Sequence, residues 1–417
     1  MKFRVAAALA TLALVGCEAA SDVPVTEPHP FSLAETAGSE PPSAATIAMR
    51  WQWLNPEVNS FTFRNTHEVF AFREVDAPES TGELARRSAL SMPAGAFAGE
   101  NVTYDEWAER TFTNAFIVLR DGEIVFEDYR NRMTADTPHI AFSMSKTITA
   151  MLIGQALERG EIASLDDPVS SYVPALAEGG YGEATIHNLL EMRSGAAIEE
   201  RYDFGDNPSL AGLIHQQAIV ENVRRFAEFG VGIDSREAPG GEFNYATLDT
   251  AVLGWVLEEA TGERIEDLTE TRLWQPMGAE FDAHWLADGP VGTGRALNGM
   301  GFNAALRDFA RLGQLMLDDG MVGETRVLPE GWLAQMTTMR PLDPESPRPG
   351  YGLQTWQFGD EEGAYAAVGL AGQYIYVHPA SRTVVVKLSY YPPGAELDGE
   401  VADYFETIAR TSTETTP

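Results

Sequence analysis

The sequence predicts an α/β (α+β) body: an antiparallel β-sheet flanked by helices, with a helical region inserted. Three observations predict it. Residues 115–120, the pair Asp121-Gly122 and residues 123–127 read as strand, tight turn and strand. Residues 374–377, a short turn through Pro379 and residues 383–388 repeat that plan near the other end of the chain. Between these hairpins lie helical patterns, so sheet-forming ends enclose a helical middle.

Each element has a local reason. The hairpin strands alternate or run apolar and are rich in β-branched and aromatic residues. Residues 146–159 keep helical periodicity until Gly160, and residues 248–260 do so until Gly262. Residues 401–410 read as a closing helix. At 417 residues and 44% hydrophobic content the chain can bury a large core. Its formal charge of −33 repels nucleic acid and anionic lipid headgroups, so no nucleic-acid partner is expected.

The N-terminus follows a secretory plan. Lys2 and Arg4 precede an apolar run over residues 5–15 that is too short to span a bilayer. Leu14-Val15-Gly16-Cys17 resembles a bacterial lipobox, and Cys17 is the only cysteine. Residues 1–16 are therefore read as a lipoprotein-type signal peptide, and Cys17 as the lipidation site. Residues 17–50 are read as a flexible tether, rich in Ala, Pro, Ser, Thr and Glu, and residues 51–417 as the folded domain. The expected location is the cell envelope, with a periplasmic folded domain held to the membrane only through its N-terminal lipid. No disulfide is available, and nothing fixes an oligomeric state.

The chemistry starts from lysine. Only three occur among 29 basic residues, and one is Lys146 in Ser143-Met144-Ser145-Lys146. A buried lysine can be shifted to the neutral amine and act as a base, which arginine cannot do. Ser143 lies three residues earlier, on the same helical face, behind apolar Ile140-Ala141-Phe142. A hydroxyl at a helix N-terminus with an amine one turn on is a nucleophile-plus-base arrangement. Two further elements qualify. Pro239-Gly240-Gly241 leads to Tyr245-Ala246-Thr247 before a helix, and Tyr245 is expected to shuttle a proton with its pKa lowered by a nearby ammonium. Gly369-Leu370-Ala371-Gly372-Gln373 precedes a strand. Gly372 allows close approach there, and the Gln373 N–H is expected to pair with that of Ser143 as an oxyanion hole.

In this order, Ser-x-x-Lys, a Tyr-x-(Asn) element and a late glycine motif resemble the serine β-lactamase and penicillin-binding protein-like family, in the branch with class C β-lactamases and related esterases. Ser164-Leu165-Asp166-Asp167-Pro168, Ile186-His187-Asn188-Leu189-Leu190 and Arg307-Asp308-Phe309-Ala310-Arg311 look familial as well. The similarity spans roughly residues 51–395, and looks closest to 6-aminohexanoate-dimer hydrolase-like members. The resemblance implies a β-lactamase/transpeptidase-like fold, catalytic Ser143, Lys146 and Tyr245, and substrate contacts from Gln373, Gly372, Thr247 and Tyr202. No cofactor or metal is implied.

Two departures shape the expected substrate. The usual Lys-Thr-Gly is Leu370-Ala371-Gly372, which removes the cation that grips a carboxylate. The Asn of Tyr-x-Asn is Thr247, which removes an amide donor. The expectation is a serine hydrolase cleaving ester or amide bonds of small neutral substrates through a Ser143 acyl-enzyme. The alternatives are a β-lactamase or D-Ala-D-Ala carboxypeptidase-like enzyme, or a non-catalytic binding module of the envelope.

Overall fold

The computed structural model describes residues 42–411 apart from positions 291, 344, 346–348 and 362. Cys17, the signal over residues 1–16 and most of the 17–50 segment lie outside the described residues. The end of that segment departs from a flexible tether, because Ala44–Gln52 is a helix capped by Ser43, whose hydroxyl accepts from the Thr46 N–H at 3.1 Å. Arg50 is the reason. Its buried guanidinium donates to the Val69 carbonyl (2.8 Å), the Val220 carbonyl (3.0 Å) and Asn222 (2.5 Å). Those partners come from distant parts of the chain, so the composition of residues 17–50 could not reveal the anchor.

The main sheet is antiparallel. Its described strands run, in spatial order, Arg340–Pro341, Pro349–Tyr351, Trp356–Gln357, Tyr365–Gly369, Gln373–His378, Thr383–Ser389, Thr113–Arg120 and Glu123–Tyr129. The two hairpins expected from the sequence sit side by side, because Thr383–Ser389 pairs along Thr113–Arg120 from Thr383↔Arg120 to Ser389↔Thr113. Both of these strands are buried at every position, which explains their near-continuous apolar runs. Alternate residues feed two cores. Ala115, Ile117, Leu119, Val384 and Val386 face one, with the helices Met144–Glu158 and Leu306–Leu317. Phe116, Val118 and Val385 face the other, under Trp107 and the closing helix Asp398–Arg410.

A second antiparallel sheet is ordered Phe72–Val75, Ala283–Leu286, Phe302–Ala304 and His139–Ile140. Its last strand leads directly into Ser143, and the Ala141 N–H donates to the Phe302 carbonyl at 2.7 Å. The helix Met144–Glu158 that follows is buried from Met144 to Ala156, on all faces. Such a helix is a core element rather than an amphipathic surface one. It packs against Thr247–Thr261, the helix that follows Tyr245. Among the described residues no helix is long and apolar enough to cross a membrane.

Close packing pins the nucleophile helix. Trp332 donates its indole N–H to the Ala150 carbonyl at 3.1 Å, and a Cβ added at Gly154 would overlap that indole. Gly154→Ala should therefore lower stability by about 1–3 kcal/mol despite its better helix propensity. Urea denaturation should show a lower midpoint with an unchanged slope; a midpoint at or above that of the parent would mean the indole moves aside without cost.

Candidate active site

Ser143 is the N-cap residue of Met144–Glu158 and makes no capping bond with its own side chain, which leaves the hydroxyl for other partners. The residue before it, Phe142, has φ +45°, a left-handed conformation costly for a side chain of this size. Packing holds it there, with Phe63 at 4.9 Å and Trp53 at 5.4 Å between ring centroids. The turn leaves the Ser143 side chain only half buried.

One helical turn on, Lys146 is 1% exposed. Its Nζ lies 2.9 Å from Ser143 Oγ, 3.0 Å from Thr247 Oγ1 and 2.8 Å from the Gly299 carbonyl oxygen. Burial pushes its pKa down to about 8, against the opposing pull of the Glu200 and Asp249 carboxylates. The amine is thus within reach of neutrality near physiological pH, and its nearest hydroxyl is Ser143.

The glycine turn at Pro239-Gly240-Gly241 delivers Tyr245 as expected, with Gly240 at φ +83°. The Asn244 amide donates to the Ile198 carbonyl at 2.9 Å and fixes the segment. The Tyr245 hydroxyl bonds the Ser143 side chain, and the Lys146 ammonium sits 5.0 Å above the Tyr245 ring. One expectation is corrected. Burial pushes the Tyr245 pKa up rather than down, outweighing the Ser143 hydrogen bond. The phenol stays protonated, so it can donate a proton and does not act as a resting phenolate. Trp356 and Tyr351 pack beside the ring at 5.6 and 6.3 Å.

The third element turns back on the nucleophile. A Cβ at Gly369 would collide with the Ala141 carbonyl, so the end of strand Tyr365–Gly369 touches the lead-in to Ser143. Gly372, at φ +86°, leaves no room for a Cβ against the Tyr391 ring. Gln373 opens the next strand, and its carboxamide is committed to structure. It donates to the carbonyls of Leu370 and Ala371 (both 3.1 Å) and Ser389 (2.8 Å), and accepts from the Ser389 N–H at 2.9 Å. Its side chain therefore shapes the turn rather than facing a substrate. Leu370, in the place of the familial cation, is 59% exposed.

Thr247 and Tyr202 meet at a shared partner, Glu200. Thr247 is 6% exposed, and its hydroxyl lies between Lys146 and Glu200, donating to Glu200 Oε1 at 2.6 Å. Tyr202 donates to the same Glu200 oxygen at 2.8 Å and lies on the surface beside Phe204. Glu200 was not singled out by the sequence, because nothing local separates it from the other 61 acidic residues. The signal that could have found it is its place two residues before Tyr202. Among the described residues no group of three or more His, Cys, Asp or Glu side chains could hold a metal ion.

A hydroxyl, an amine able to be neutral and a protonated phenol thus converge, with the end of strand Tyr365–Gly369 against the lead-in to Ser143. The family model described as Beta-lactamase matches residues 105–404. The 6-aminohexanoate-dimer hydrolase of Paenarthrobacter ureafaciens is 30% identical over 344 residues, covering 78% of this chain and 86% of that protein. Esterase EstB of Burkholderia gladioli is 30% identical over 215 residues, or 46% of this chain and 52% of that one. Among solved structures, a putative 6-aminohexanoate-dimer hydrolase from Bacillus anthracis superposes with a TM-score of 0.77 at 22% identity, over 86% of this chain and 95% of that one.

The amine must lose its proton before it can take one from Ser143. The labelling rate of Ser143 by a fluorophosphonate should therefore rise about tenfold per pH unit below pH 8 and level off above it. A rate that is flat between pH 6 and 9 would show that Lys146 is not the base.

Proposed function

The chain belongs to the Beta-lactamase family of serine hydrolases, and from that membership we propose that it cleaves ester or amide bonds of small neutral substrates through an acyl-enzyme on Ser143. The observation that carries this reading is the buried Lys146 amine, held 2.9 Å from the Ser143 hydroxyl. Ser143 Oγ attacks the acyl carbon and its proton passes to the lone pair of Lys146. Tyr245, bonded to Ser143 and protonated, gives its proton to the leaving oxygen or nitrogen. Water then enters in place of the leaving group, and the same groups run the transfers in reverse.

The surroundings favour neutral substrates. Leu370 offers an apolar side chain where the family pattern has a cation. Arg193, which stacks 5.9 Å from the Phe243 ring, has its guanidinium committed to the carbonyls of Gly241 and Pro341, both at 2.6 Å. Aromatic rings surround the site instead, with Trp356 beside Tyr245 and Phe243 against Trp356, and Tyr202 on Glu200 with Phe204 against Tyr202. A β-lactam carboxylate would meet the apolar Leu370 where the family pattern has a cation, at a loss of about 1.5–3 kcal/mol, or one to two decades in affinity.

We also propose that Cys17 carries the lipid and that the folded domain works in the periplasm, on the support of the Leu14-Val15-Gly16-Cys17 pattern. Cys17→Ser should move the protein from the membrane pellet to the soluble fraction of cells, with esterase activity kept; a variant still pelleting with membranes would remove that proposal.

For the chemistry, intact-mass analysis after fluorophosphonate treatment should show one adduct, absent from Ser143→Ala. The kcat/KM for a p-nitrophenyl butyrate ester should exceed that for nitrocefin by at least about tenfold. A higher value for nitrocefin would overturn the assignment of neutral substrates.

A further inference from the structure

We propose that Glu200 is a positioning residue for this reaction: through the Thr247 hydroxyl it aims the lone pair of neutral Lys146 at Ser143. The inference rests on the acyl-enzyme reading above. It follows from donors and acceptors. A carboxylate only accepts hydrogen bonds. Glu200 Oε2 takes the Thr247 backbone N–H at 2.5 Å, and Oε1 takes the Thr247 hydroxyl hydrogen at 2.6 Å. The one hydrogen of that hydroxyl is thereby spent, and its oxygen can only accept from Lys146 at 3.0 Å. The Gly299 carbonyl, at 2.8 Å, can also only accept.

A neutral amine has two hydrogens and one lone pair. Thr247 and Gly299 claim the two hydrogens, and the lone pair is left with a single direction, toward Ser143 at 2.9 Å. Without Glu200 the Thr247 hydroxyl is free to turn and donate to Lys146. The lone pair would then be occupied by Thr247, and Ser143 would lose its base. The family's Asn at this position would present separate amide and carbonyl groups; Thr247 presents one oxygen that accepts from the lysine and donates to the acid.

Local structure is built to hold Glu200 in place. The helix Thr247–Thr261 has Ala246 as N-cap with no side-chain cap of its own, and Glu200 supplies the missing acceptor from 47 residues upstream. A carboxylate there is also favoured by the helix dipole. On its outer side Tyr202 donates to Oε1 at 2.8 Å. The charged and titratable groups that face Lys146 are the Glu200 and Asp249 carboxylates and the Tyr245 phenol; Asp249 accepts through Oδ1 from Tyr181 and Ser194, at 2.7 and 2.8 Å.

The test is a pH series of p-nitrophenyl butyrate hydrolysis with Glu200→Gln, Thr247→Val, Thr247→Ser and Ser143→Ala, normalised to sites titrated by a fluorophosphonate. Glu200→Gln and Thr247→Val should each lower kcat by about 30-fold or more, with KM within about threefold. Thr247→Ser should recover kcat to within about threefold of the parent. Losing the negative charge of Glu200 lowers the lysine pKa, so the ascending limb of Glu200→Gln should move to lower pH. If kcat per titrated site and the limb both stay at the parent values in Glu200→Gln and Thr247→Val, Glu200 only supports the fold and the inference is overturned. Labelling that persists in Ser143→Ala would instead remove the acyl-enzyme reading itself.

Discussion

The structure is organised around one buried amine. An ammonium out of water costs several kcal/mol unless every hydrogen finds an acceptor, and the cost falls when the group is neutral. Lys146 satisfies this with a partner on its own helix, a second at the start of the neighbouring helix and a third in the loop before strand Phe302–Ala304. Three separated parts of the chain must be in register for those contacts to exist. The strained Phe142 and the aromatic packing around it belong to the same constraint, since they set the first turn of the helix that carries both Ser143 and Lys146.

Residue types alone do not make such a site. Lys387 is also buried, and burial drives its pKa well below the usual value. It bonds the Ser389 hydroxyl and lies 4.7 Å from the Tyr391 ring, so serine, lysine and tyrosine recur together. Yet Lys387 also donates to the Thr111 carbonyl at 2.7 Å, and Lys387 and Ser389 are both fully buried in the sheet. The Ser143 group differs in geometry: its hydroxyl-bearing side chain is only half buried, and a hairpin whose strand end touches the Ala141 carbonyl carries the exposed Leu370 nearby.

Much of this was legible in the sequence, because it is local. The hairpins around Asp121-Gly122 and Pro379 are encoded by β-branched runs and turn residues, and the observed strands extend them by at most two residues at either end. Ser143 and Lys146 are separated by one helical turn, so their meeting needed no knowledge of the fold. The rest is nonlocal. Thr247 read as a lost amide donor, because its partners on residues 146 and 200 are joined only by folding. The carboxamide of Gln373 went unread, because the three carbonyls and the N–H it bonds come together only in the folded turn and the neighbouring strand. The sign of the Tyr245 shift was misjudged for the same reason: the ammonium was foreseen and the burial was not. Arg50 likewise turns a stretch with the composition of a tether into a docked helix.

The central claim is that Lys146 is neutral when Ser143 reacts, and it can be observed directly. With three lysines in the whole sequence, protein carrying 13C-labelled lysine gives a spectrum simple enough to assign by substituting Lys387 and Lys146 in turn. Followed by NMR from pH 6 to 11, the Lys146 side-chain carbon beside Nζ should titrate with a midpoint near pH 8, well below a free lysine. A Lys146 signal that stays in the charged form beyond pH 10 would contradict the account.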